Sequence, residues 1–135
     1  MQRTSFITVT ILLIATGAAT AANTGTGSSL ADLGMTFEKA SRLDGIQRAE
    51  ALTDLEVRVK DLIGHLDGDD KAAAYFLYGE IRFATDRYDD AAQAYKSAAK
   101  EAKDGPLAAD AGLGVISSQD AAGRDAQQRQ ESAHR

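Results

Sequence analysis

The stretch YDDAAQAYKSAA, residues 88–99, sets two tyrosines two helical turns apart among alanines and charges. At 3.6 residues per turn Tyr88 and Tyr95 share one face, and Ala91 and Ala98 fall on that face between and after them. A face that alternates large and small residues suits close helix packing, because each small residue leaves a notch that a large one fills. The stretch therefore predicts a packed helix over about Tyr88 to Lys103 and no reactive site. With abundant alanine, a single proline and few aromatics in the chain, the fold class expected is all-α.

The flanking segments carry the same signals. Before it, TDR turns the chain out of AAAYFLYGEIRFA, which predicts a helix over about Lys71 to Ala84. After it, KDGP stops the helix, since glycine and proline do not continue one. A further helix starts near Leu107 and holds Leu113, Val115 and Ile116. Beyond Ser118 no large apolar residue remains; propensity allows a helix there, but with nothing to bury residues 119–135 are expected to be a polar, frayed tail.

Upstream, Leu52, Leu55, Val59, Leu62, Ile63 and Leu66 form one apolar stripe, and Ser29 stands where it can cap a helix carrying Leu30, Leu33, Phe37 and Ala40. LDG at 43–45 separates these two helices, giving an N-terminal hairpin over 30–66. DGDD at 67–70 ends the second, with Asp70 expected to cap the next. Residues 70–118 are then the second helical region.

Residues 72–105 resemble a tetratricopeptide repeat, a helix hairpin with small and large residues at fixed places. Tyr75 takes the first aromatic place, Tyr78 the large apolar place and Gly79 the small place of the first helix. Tyr88 opens the second helix, with Ala91, Tyr95 and Ala98 at its small, aromatic and small positions. Gly79 and Ala91 are then expected at the closest approach of the two helices. Three positions depart from the pattern: Asp86 replaces the turn glycine, Arg82 stands at a usually aromatic place, and Pro106 closes the unit late. A partial second unit begins with Leu113-Gly114, which repeats Tyr78-Gly79, and puts Ala126 where Ala91 falls.

The resemblance implies a scaffold that binds proteins or peptides along its first helices. The inferred partner-binding residues are Phe76, Leu77, Glu80 and Phe83; of these, Phe76, Leu77 and Phe83 are not needed for the hairpin core. The other reading is that the Leu52–Leu66 helix covers part of this group. Leu113, Val115 and Ile116 are the next residues available for a protein partner or for self-association.

Chemistry of other kinds has little support. The chain has no cysteine and two histidines, too few for a thiolate or imidazole metal site, so no metal and no cofactor is expected. DGDD lacks the alternating oxygens and the later glutamate of a calcium loop. Tyr95 beside Lys96 and Tyr88 beside Asp89 have no triad, carboxylate dyad or phosphate loop around them, so no catalytic residue is assigned and no enzyme is expected. The net charge of −5 disfavours nucleic acid, which needs a basic face.

The N-terminus is a different kind of polymer. Arg3 precedes the apolar run FITVTILLIA, residues 6–15, and Ala19-Thr20-Ala21 follows among small residues. A cationic start, a short apolar run and an A-x-A site form a secretory signal peptide over 1–21, with a flexible leader at 22–29. The run is shorter than the ~20 residues a membrane span requires, so no stable span is expected after cleavage. The expected product is exported, periplasmic in a two-membrane bacterium and otherwise secreted. Its expected role is an adaptor or assembly factor in the cell envelope; the alternative is a small helical accessory subunit of an exported complex. Intact-mass measurement of the exported protein should give a chain beginning at Ala22 or Asn23. Retention of Met1 in a membrane fraction contradicts the export reading.

Overall fold

The computed structural model describes residues 26–135, so the expected signal peptide and the first residues of the leader lie outside it. All its regular elements are helices: α1 Thr26–Ser41, α2 Gly45–Ile63, α3 Gly68–Ala84, α4 Tyr88–Ala102 and α5 Pro106–Ala133. The all-α class is as expected. No described helix is long and apolar enough to cross a membrane. Helix α1 starts upstream of the expected cap at Ser29, within the segment expected to be a flexible leader.

The helices stack in chain order. Each packs chiefly on its neighbours in sequence, with α1 also meeting α3 and α3 meeting α5. Two apolar clusters result, and α3 contributes to both. In the first, Leu33 and Phe37 of α1 and Leu52, Leu55 and Val59 of α2 close over Ala74, Leu77, Tyr78 and Ile81 of α3. In the second, Phe76 of α3 and Ala91, Tyr95 and Ala98 of α4 meet Ala111 of α5. The alternation of apolar and polar residues along α2 produces this directly: Leu52, Leu55, Val59 and Ile63 are buried while Asp54, Arg58 and Lys60 face outward.

The turns show how the chain reverses. Leu43-Asp44-Gly45 and Leu66-Asp67-Gly68 are built alike, with an extended aspartate at the N-cap and a glycine at positive φ, +54° and +60°. Glycine suits both places because it has no Cβ to strain there. The cap of α3 is therefore Asp67 and not Asp70, which falls inside the first turn. Gly68 makes the reversal at that point, so the cap stands three residues ahead of where the charge pattern suggested. At the α3–α4 turn Asp86 adopts φ +63°, the left-handed conformation a glycine would take, which aspartate tolerates better than most residues.

Arg82, out of pattern in the sequence, has a structural task. Its guanidinium carbon lies 3.8 Å from the centre of the Tyr78 ring, and Nη2 donates to the Tyr78 hydroxyl at 2.7 Å. Nη1 donates to the Asp90 carbonyl at 3.1 Å, and Nε faces Glu56 at 3.5 Å. Arg87 reaches the other oxygen of Glu56 at 2.5 Å. One planar cation thus ties α2, α3 and the start of α4, which an aromatic side chain could not do by hydrogen bonds.

The largest departure from expectation is α5. It runs unbroken to Ala133 where a frayed tail was expected. Asp120–Arg124 and Asp125–Arg129 form ion pairs one turn apart, each worth a few tenths of a kcal/mol on a helix surface. No glycine–proline stop interrupts the segment, and its Ala, Gln and Arg residues favour helix. Most of it beyond Ser118 is nonetheless exposed, as the absence of large apolar residues there dictates.

Candidate functional site

Tyr95 organises the interior. Its ring lies between two glycines on opposite sides: a Cβ on Gly79 of α3 would stand 2.8 Å from the ring, and one on Gly114 of α5 would stand 2.7 Å away. Real carbons do not approach so closely, so both positions must lack a side chain for the ring to fit. Phe76 closes another edge, with ring centres 5.4 Å apart and planes at 64°, an edge-to-face arrangement aromatic pairs favour. Ala91 and Ala98 are fully buried on the same face of α4. What fills the gap at Gly79 is the Tyr95 ring, with Ala91 part of the same cluster.

The tyrosine hydroxyl also needs a partner. It donates to Oε1 of Glu80 at 2.7 Å, and Glu80 is only 3 % exposed. Burial raises the Glu80 carboxyl to about 8, against the smaller lowering effect of the Tyr95 hydrogen bond. The Tyr95 phenol is pushed well above its ordinary range by burial, then by the Glu80 charge and their hydrogen bond. At neutral pH Glu80 is therefore mostly protonated. Its Oε2 and the Ser118 hydroxyl of α5 are buried without a hydrogen-bond partner. A general acid must come within hydrogen-bond reach of a substrate. Glu80 is instead enclosed by α3 and α4, so the pair acts on packing and register.

The expected partner-binding group is not an open surface. Phe76, Leu77 and Glu80 are buried within the chain. Leu77 is covered by the α1–α2 cluster, as the second reading of that group held. Phe76 is enclosed by Tyr95 and Ala111. Phe83 is half-buried and sets its ring edge-to-face against Tyr88 at 5.2 Å. Of the expected repeat positions, Tyr78, Gly79, Ala91, Tyr95 and Ala98 are buried, and Tyr75 and Tyr88 are half-buried. The Tyr88 hydroxyl donates to Asp86 at 2.8 Å, so neither imagined tyrosine pair forms as drawn from sequence neighbours.

The sequence reading missed the Glu80–Tyr95 pair, although a signal existed. Glu80 is the one acidic residue inside the most apolar run of the described chain, AAAYFLYGEIRFA.

The next group, Leu113, Val115 and Ile116, divides. Val115 packs against the second cluster, while Leu113 is 63 % and Ile116 65 % exposed. They lie one turn apart on the outer side of α5, opposite the side on which Ala111, Gly114 and Ser118 meet the core. This is an apolar face on an otherwise polar helix.

A shallow cleft of about 380 Å³ lies between the start of α4 and the second half of α5, lined by Arg87, Asp89, Asp90, Asp125 and Arg129 among others. Its arginines are engaged, Arg87 with Glu56 and Arg129 with Asp125. Among the described residues no group of three or more His, Asp or Glu side chains is placed to hold a metal. No protein-family model matches the chain, and no curated protein or solved structure matches it.

Glu80 makes the stability depend on pH. Its folded-state pKa lies above the unfolded value near 4.5, so its contribution is fully present below 4.5 and is lost as pH rises toward about 8. Between these limits the unfolded chain releases the proton that the folded chain keeps. The urea midpoint should fall from pH 5 to pH 8, and Glu80→Gln should flatten that fall while keeping the acceptor for Tyr95. An unchanged slope in the variant contradicts the assignment.

Proposed function

We propose that the chain is an exported, tetratricopeptide-like interaction module that serves as an adaptor or assembly factor in the cell envelope. The pattern at Tyr75, Tyr78, Gly79, Ala91, Tyr95 and Ala98 supports the repeat reading, as does a stack in which each helix packs on its chain neighbours. The charge–apolar–small order of residues 1–21 supports export. The observation that carries the interaction role is the open apolar face of α5 at Leu113 and Ile116. Contiguous exposed apolar groups on an otherwise polar element usually mark a contact surface. The surface assigned to contact is thus α5, in place of the buried Phe76, Leu77 and Glu80.

The alternative, an accessory helical subunit of an exported complex, draws support from the long polar second half of α5, most of which is exposed. Both readings place the contact on α5. The test is chemical cross-linking of the mature protein in the exported fraction, with Leu113→Glu/Ile116→Glu as control. The expected result is adducts that the double variant loses while its circular dichroism is unchanged. Adducts identical in both proteins contradict an interaction role for this face.

A further inference from the structure

The face at Leu113 and Ile116 can be compared with a face of α3 that is already covered. Gly79 and Gly114 both receive the Tyr95 ring, and the 35-residue shift between them carries one helix onto the other. Under that shift Ala72, Phe76, Gly79 and Phe83 of α3 become Leu107, Ala111, Gly114 and Ser118 of α5. These are the sides that α3 and α5 turn toward α4: six of the eight pack in the second cluster or against its central tyrosine, and the other two, Ala72 and Ser118, are buried. The same shift carries Ala74, Leu77, Tyr78 and Ile81, the side of α3 covered by α1 and α2, onto Ala109, Gly112, Leu113 and Ile116. In α5 this side is bare. It is the place where a sixth helix would continue the stack.

We infer that the occupant is a second copy of this chain, with the two α5 helices packed antiparallel about a two-fold axis between residues 112 and 113. This inference rests on the reading of α5 as the contact surface, and names the partner. The residues themselves argue for it. An axis at that point sets Leu113 of each chain against Gly112 of the other, and Ile116 against Ala109, so a large side chain meets a small one at every contact. A Cβ on Gly112 would have nothing within 4 Å, so the notch is open in the single chain. A parallel pair would instead set Leu113 on Leu113 and Ile116 on Ile116, holding the helices apart.

The four residues Ala109, Gly112, Leu113 and Ile116 carry no charge, and Asp120 stands one turn beyond Ile116 on the same face. The patch lies on the side of α5 opposite Ala111 and Gly114, which pack against α4. An isologous contact of this kind closes on itself and forms no fibre. The overlap spans about four turns and buries less than the ~1,200 Å² of a standard permanent interface, so the dimer is reversible and concentration-dependent.

Sedimentation equilibrium of the mature chain from about 10 μM to about 1 mM, a range that covers dissociation free energies near 4–7 kcal/mol, is the test. The average mass should rise from one chain toward two. Gly112→Gln fills the notch without touching the single chain's core and should hold the protein monomeric with unchanged circular dichroism. Leu113→Glu should do the same. A monomer across the whole range overturns the inference, and so does a dimer that survives Gly112→Gln. If the monomer still forms cross-links that need Leu113 and Ile116, the second copy is the wrong occupant and the interaction role stands. If it forms none, both fall together.

Discussion

One aromatic ring set between two glycines governs the C-terminal half of this protein. Tyr95 can be fully enclosed only because Gly79 on one helix and Gly114 on another withdraw their side chains from its two faces. A ring with both faces covered and its edge on Phe76 loses water on every side, which is the largest apolar burial available to α4. Apart from the half-buried Tyr88 at its start, the rest of α4 is alanine and polar or charged residues, which by themselves would bury little. The ring therefore joins α3, α4 and α5 into one packed unit.

The polar end of the ring sets a second constraint. A buried phenol needs a hydrogen-bond partner, and the residue after Gly79 supplies it. Placing Glu80 there carries a cost, since a carboxylate in that interior must give up its charge or destabilise the fold. The structure accepts a protonated carboxyl at neutral pH and gains a contact that fixes the rotation of α3 against α4. A leucine at position 80 could pack as well but would leave the hydroxyl of Tyr95 without an acceptor. The Arg82 network repeats this logic at the rim, where one cation holds three elements in place through directional bonds.

Much of the fold was legible in the sequence. The stripe of α2, the LDG break, the KDGP stop and the small–large alternation of α4 are local signals, and each element they mark is present. The burial of Phe76 and Leu77 was legible only as one of two readings, because it depends on which helix returns to cover α3, a long-range choice that periodicity does not contain. The cap at Asp67 was missed because the left-handed glycine after it, not the density of aspartates, sets where α3 begins. The length of α5 was legible only in part: propensity allowed a helix beyond Ser118, while the loss of apolar residues signals loss of burial and does not decide whether the backbone stays helical. Glu80 was read by its face as a surface contact, although a lone acid in an apolar run is the pattern of a buried partner.

The most direct measurement is a double-mutant comparison of stability by urea unfolding, with Gly79→Ala and Gly114→Ala each made in the native chain and in Tyr95→Ala. With the ring present, each added methyl must displace it, at a cost of about 1–3 kcal/mol. With the ring removed, the same changes replace a helical glycine by alanine and should stabilise by about 0.5–1 kcal/mol. A reversal of sign at both positions is the predicted result. Equal effects in the two backgrounds would contradict the claim that Tyr95 holds the three helices together.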